Sequence, residues 1–219
     1  MFRSLALMSS ISVLGALATF FYQTVGTHIM SVYDYGAFSR WLTDISYISL
    51  LFVLGLDSSL LYHARLGEKI ESNNIKNLLI YTFIYAVSLA VIVVFNLEPF
   101  YHISLFTTIY LFAILGGIQA FFQFRERFTI FNFIAISRPV LVLLVFLLIM
   151  FRNDILSYKT IVVVYTATCA LLTIVVVWIY LQNAEPIKPK NIFSYKYYTY
   201  GLKSILNKIL APMLYSSSI

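Results

Sequence analysis

An all-α integral membrane protein, a six-helix transmembrane lobe followed by the start of a seventh helix, is the fold this sequence predicts. Three observations predict it. Only 11% of the residues are charged while 61% are hydrophobic. The mean hydropathy is +0.87. The apolar residues fall into segments of about 20, the length needed to cross a bilayer, with short connections between them. A soluble domain carries about 25% charged residues. This chain has too little polar surface to coat a water-soluble globule.

The first segment runs from Leu5 to Ile29. Arg3, an apolar core and Ala16-Leu17-Ala18 also fit a cleavable signal peptide, but the apolar run continues through Phe20, Phe21 and Val25 to Met30, too long for such a leader. The second segment is Phe38 to Tyr62 and carries Arg40, Asp44 and Asp57. The third, Asn77 to Leu97, is free of charge. The fourth is His102 to Phe124, and the fifth, Phe128 to Phe151, is interrupted by Arg138-Pro139. The sixth is Thr160 to Leu181. A partial seventh begins near Tyr200 and runs to Ile219, so residues 1–199 form the lobe and 200–219 the next span.

The connections are Tyr33-Asp34-Tyr35-Gly36, His63 to Lys76, Glu98 to Tyr101, Arg125-Glu126-Arg127, Arg152 to Lys159 and the Pro- and Lys-rich stretch Gln182 to Thr199. None can hold a soluble domain. Their Lys and Arg content sets orientation. With the N-terminus inside, the inner segments hold nine basic residues: Arg3, Arg65, Lys69, Lys76, Arg125, Arg127, Lys188, Lys190 and Lys196. The outer ones hold three, Arg40, Arg152 and Lys159. The bias predicts a cytoplasmic N-terminus. The formal net charge of +6 then belongs to inner loops and anionic lipid heads, since no basic cluster interleaves with exposed aromatics as nucleic-acid binding requires.

Polar residues at helical spacing mark faces turned toward protein or water. The first span has Ser12, Ala16, Thr19, Gln23 and Gly26; the third has Asn77, Tyr81, Tyr85 and Ser88; the fourth has Gly116, Gln119, Ala120 and Gln123. Each stripe fits close helix packing, and several together fit a hydrated cavity. Arg40 and Asp44 are four apart, share a helix face and can pair. Asp57 lies one or two turns from the inner end of its span. Arg138 stands ten residues past Phe128, about 15 Å along the helix and near the bilayer centre, too deep for easy snorkelling. Pro139 follows and kinks the helix. A central cation on a kinked helix suits an anion-binding cavity or a pair with Asp44 or Asp57.

Chemistry-bearing motifs are absent: no HExxH, no nucleotide-binding glycine loop, no nucleophile elbow. Cys169 is alone, which excludes an intrachain disulfide and a multi-cysteine metal site. His28, His63 and His102 lie near span ends, as interfacial residues do. No catalytic residue, metal or cofactor is expected.

Met30-Ser31-Val32-Tyr33-Asp34-Tyr35-Gly36-Ala37-Phe38-Ser39, with Leu54-Gly55-Leu56-Asp57-Ser58-Ser59-Leu60-Leu61, resembles the first outer loop and second span of Wzx-type polysaccharide-export flippases, members of the multidrug/oligosaccharidyl-lipid/polysaccharide exporter superfamily. Tyr200-Gly201-Leu202-Lys203-Ser204 is similar to the start of that family's seventh span. The resemblance implies one of two six-helix lobes around a central cavity in the bacterial cytoplasmic membrane. It implies flipping of an undecaprenyl-diphosphate-linked oligosaccharide for O-antigen or capsule synthesis, with membrane lipids as the other partners and no covalent chemistry. The resemblance puts Arg138, and with it Arg40 and Asp57, at the substrate; the fourth-span stripe adds Gln119 and Gln123 as cavity-lining residues. Members of that family are about twice as long, so the resemblance also implies a C-terminal half to complete the cavity. The alternatives are a membrane-embedded oligosaccharide polymerase or ligase, which the short outer connections disfavour, and a drug or ion antiporter of the same superfamily.

Overall fold

A computed structural model describes residues 2–66, 70–95, 97–152, 155–184, 197–204 and 206, the side chains of 2–12, 64 and 70–72 excepted. Among these residues the chain is helical throughout, with no strand. The helices are α1 (Phe2–Ile29), α2 (Val32–Phe52), α3 (Leu56–Arg65), α4 (Ile70–Val94), α5 (Pro99–Phe124), α6 (Phe128–Phe151) and α7 (Tyr158–Asn183). A further helical segment covers 197–204. Four helices are long and apolar enough to cross a membrane, or five if α2 and α3 count as one bent span. Helices α4 to α7 fall on the expected third to sixth spans; α1 adds 28 helical residues, with side chains described from Val13 onward. The part of the expected seventh span beyond Leu206, and the basic linker residues Lys188, Lys190 and Lys196, lie outside the described residues.

Helix boundaries follow from local chemistry. Ser31 caps α2, its hydroxyl oxygen accepting the Asp34 N–H at 3.1 Å. The expected loop Tyr33–Gly36 is therefore the first turn of α2, and only Met30 and Ser31 separate it from α1. Ser157 caps α7 in the same way through the Thr160 N–H. Pro99, lacking an N–H, opens α5, where that donor would have no partner. The two loops at this end are tied together. The Leu156 N–H donates to the Ile29 carbonyl at 2.9 Å, and the Tyr158 N–H to Asp34 Oδ1 at 2.8 Å. At the other end Arg125-Glu126-Arg127 makes the α5–α6 turn, with Glu126 left-handed at φ 56°. There Arg127 donates to the Asn183 side chain of α7.

Helix α5 is the central post. It packs on α2, α3, α4, α6 and α7, while α1 lies chiefly against α6. The core is aromatic: Tyr22, Phe38, Trp41, Phe146 and Tyr165 meet with ring centroids 5.6–6.4 Å apart. Such offset and edge contacts add about 0.5–1.5 kcal/mol per pair beyond area burial. The outside is apolar as well: Phe20, Phe83, Val93, Leu148, Leu171 and Trp178 are all exposed. So large an exposed apolar surface fits lipid, not water. The α4 stripe serves packing against α5, whereas of the α5 stripe only Ala120 is buried, a Cβ on Gly116 would meet nothing, and Gln123 is exposed. Tyr81 is buried, the rings of Tyr85 and Tyr110 stack at 4.6 Å, and a Cβ on Gly117 would reach Asn74 Oδ1 at 3.3 Å.

The continuous helix expected from Phe38 to Tyr62 is broken. After Phe52, Leu54 and Gly55 take φ values of 50° and 62°, and α3 leaves at 43° to α2. Gly55 accepts a left-handed backbone at little cost; Leu54 does so under strain. The break is covered by the 197–204 segment and α4. The Ser59 hydroxyl donates to the Tyr197 carbonyl at 2.6 Å, the Tyr197 hydroxyl to Asn77 Oδ1 at 3.0 Å, and Asn77 Nδ2 to the Leu56 carbonyl at 3.1 Å. Tyr62 stacks on Tyr200 at 4.1 Å. His63, expected at an interface, is only 5% exposed, because the Tyr197 ring covers it at 5.1 Å.

Gly201 makes this docking possible, since a Cβ there would sit 2.9 Å from the Leu54 carbonyl oxygen. Gly201→Val should therefore lift the segment and destabilise the protein by about 1–3 kcal/mol, the usual cost of overpacking. Thermal unfolding in detergent measures the loss. Unchanged stability would mean that the segment does not clamp the break.

Candidate functional site

Although only two residues link them, α1 and α2 barely touch along their lengths. A cavity of about 270 Å³ opens between them, with α6 as its floor. Thr19 and Gln23 of α1 line one wall; Ser39, Thr43 and Ser46 of α2 line the other. Arg138 and Pro139 come from α6, and Tyr22, Phe112 and Tyr165 close the bottom with rings. Gln23, Ser39, Thr43, Ser46 and Arg138 are all exposed, so the cavity opens at the lobe surface.

Arg138 is placed by its neighbours on α6. Ser137 and Pro139 are both buried, and the Ser137 hydroxyl donates back to the Phe133 carbonyl. Pro139 has no N–H to give the preceding turn. Gly15 of α1 lies close to it, since a Cβ there would meet the proline ring at 4.0 Å. The guanidinium turns away from this packing, 4.3 Å from the centroid of the Phe112 ring. Among the described residues it has no hydrogen-bond acceptor and no carboxylate. The pair with Asp44 or Asp57 that the sequence allowed does not form. Asp44 instead accepts the Tyr101 hydroxyl, and among the described residues the expected i, i+4 ion pair with Arg40 does not form.

The other candidate residues stand apart. Arg40 follows Ser39 but faces a second cleft, at the end where α2, α5 and α7 begin. Asp57 is half-buried in the first turn of α3, with the Ser58 hydroxyl 3.5 Å away. Gln119 and Gln123 lie in the last turns of α5, Gln123 exposed and Gln119 half-buried. None of the four lines the Arg138 cavity. Of the first-span stripe, Thr19 and Gln23 do. The α2 wall was overlooked although its spacing was visible: Ser39, Thr43 and Ser46 follow i, i+4, i+7.

What this arrangement can do is hold an anion. The Arg138 guanidinium, backed by an aromatic face, and the Gln23 amide offer donors to an oxyanion, while the hydroxyls of Thr19, Thr43 and Ser46 donate to backbone carbonyls of their own helices and present lone pairs; among the described residues no acidic one lines the cavity. Among the described residues no group of His, Cys, Asp and Glu could hold a metal ion. No protein-family model, curated protein or solved structure matches the chain.

A cation with no carboxylate partner costs about 2.5–3.5 kcal/mol at the centre of a membrane helix. The contact with Phe112 returns about 0.5–2 kcal/mol. Arg138→Leu should therefore raise the unfolding temperature slightly. A clear fall would show that Arg138 holds the fold together.

Proposed function

We propose that the chain is one lobe of a flippase for lipid-linked oligosaccharide repeat units. Six helical crossings (α1, the α2–α3 pair and α4 to α7) would stand in the bacterial cytoplasmic membrane with the N-terminus inside. The observation that carries the reading is Arg138, halfway along α6 in an open polar cavity where, among the described residues, no carboxylate pairs with it or lines the wall. A pyrophosphate-linked sugar offers what that cavity lacks: acceptor oxygens and negative charge for the guanidinium, and sugar hydroxyls for Gln23, Thr43 and Ser46. Work is done by binding and conformational change, without a covalent step. A second lobe would face this one and close the cavity, as alternating access requires. The resemblance of the Met30–Ser39 and Leu54–Leu61 segments to the exporter family supports the same reading.

In cells whose surface polysaccharide depends on this protein, Arg138→Ala should abolish export at normal membrane levels. Arg138→Lys should keep part of the activity, since it retains charge but loses the two-pronged phosphate contact. Full export by the alanine variant would sink the proposal.

Orientation is tested separately. Leu66 and Ile155 are exposed at opposite ends of the helices. With Leu66→Cys and Ile155→Cys, an impermeant thiol reagent applied to intact cells should label only the second. Labelling of the first alone would invert the topology.

A further inference from the structure

Two openings meet at the end of the lobe where α2, α5 and α7 begin. The first is a cleft of about 970 Å³ that carries both signs of charge. Arg40 and Lys159 line it, and so does Glu98. Among the described residues no ion pair joins any two of them. Its other acid, Asp34, is already engaged by the Ser31 hydroxyl at 2.6 Å and the Tyr158 N–H. His102 also lines the cleft, with Nδ1 2.9 Å from the Glu98 carbonyl.

The second opening is an apolar groove of about 550 Å³ between α5 and α7. Phe100, Ile103 and Thr107 form one side; Val163, Ala167 and Ala170 form the other. Both sets follow helical spacing over about 10 Å, at 1.5 Å per residue. The groove thus runs along the helices, away from the cleft. Phe100 joins the two: it lines the groove, and Lys159 Nζ of the cleft lies 5.6 Å from its ring centroid. A mixed-charge cleft continuous with an apolar groove at the start of membrane-length helices has the chemistry of a phospholipid seat.

We propose that this is a binding site for an aminophospholipid of the phosphatidylethanolamine type. Its phosphate bridges Arg40 and Lys159, its primary ammonium reaches Glu98, and one acyl chain lies in the α5–α7 groove. The separated charges decide the headgroup. A purely anionic lipid would leave Glu98 facing its own sign. A choline headgroup has no N–H to donate to the carboxylate.

The test is lipid retention by the purified, delipidated full chain in detergent, counted by native mass spectrometry. Phosphatidylethanolamine, phosphatidylcholine and phosphatidylglycerol with identical chains are the probes. Phosphatidylethanolamine should be held about tenfold more tightly than phosphatidylcholine, one charge-assisted hydrogen bond's worth. Glu98→Gln should erase that preference, Lys159→Ala should weaken all three lipids, and Ala167→Phe should block the groove to each. All three positions are exposed, so the fold is not at stake. Equal retention of the ethanolamine and choline lipids by the unaltered chain would overturn the proposal. So would tighter binding of phosphatidylglycerol, or a preference that survives Glu98→Gln.

Discussion

Inside hydrocarbon a backbone amide or carbonyl must find its partner within the protein, at a cost of several kcal/mol if it does not. Straight helices meet that constraint by themselves; a broken one does not. At the α2–α3 break at Val53–Gly55 local bonds serve the amides, Leu54 N–H to the Leu51 carbonyl and Leu56 N–H to the Val53 carbonyl, and two distant pieces of sequence converge there. Asn77 of α4 bonds the first carbonyl of α3, Tyr197 bonds Asn77, and Gly201 lets backbone lie on backbone. The side chains that seal the break, Ser59, Asn77 and Tyr197, are all buried. The last described segment thus docks at the bend in the second.

That bend shapes the rest of the lobe. α2 and α3 both pack on α5, at different heights and on different headings. With α2 held to α5 and α7, and α1 held to α6, the first two helices diverge instead of zipping together. The wedge between them is filled at its base by Tyr22, Phe38 and Tyr165 and left open above. Thr19 and Gln23 of α1 and Ser39, Thr43 and Ser46 of α2 therefore face a cavity, whereas Thr82 and Tyr85 of α4 meet side chains of α5. Hydroxyl pairs record the second arrangement: Thr82 with Tyr110 at 3.0 Å, and Tyr85 with Thr107 at 2.9 Å.

The helical class and most helix positions were legible in the sequence because each rests on a sum over about 20 residues. Arg138 was legible for the opposite reason: one charge in a long apolar run stands out. The break at Leu54–Gly55 was hidden, since hydropathy is blind to backbone sign and the segment stays apolar across it. The turn Tyr33–Gly36 looked like a loop by composition, yet Ser31 is a good N-cap and makes it helical. Spacing showed that Arg40 and Asp44 could meet, but Tyr101, reaching from α5, takes the carboxylate, and no single-helix argument could foresee that. Gln119 and Gln123 share a face with Phe112, which touches Arg138, but they stand two and three turns further along α5, outside the cavity.

The two openings differ in what they can hold because of where the acids lie. Ser39 and Arg40 are neighbours on α2, yet one borders the deep cavity and the other the shallow cleft. Asp34 and Glu98 line the cleft beside Arg40 and Lys159, so an ion there meets both signs. Asp44, about one turn past Arg40, is held by Tyr101. Nothing acidic lines the cavity around Arg138, so only a negative or neutral guest gains from entering it. At an effective dielectric of 20, two charges 4 Å apart interact by about 4 kcal/mol, so one misplaced carboxylate would suffice to cancel the attraction. One helix thus separates an opening whose described charged residue is Arg138 from one lined by both signs of charge, by the side on which its neighbours carry their acids.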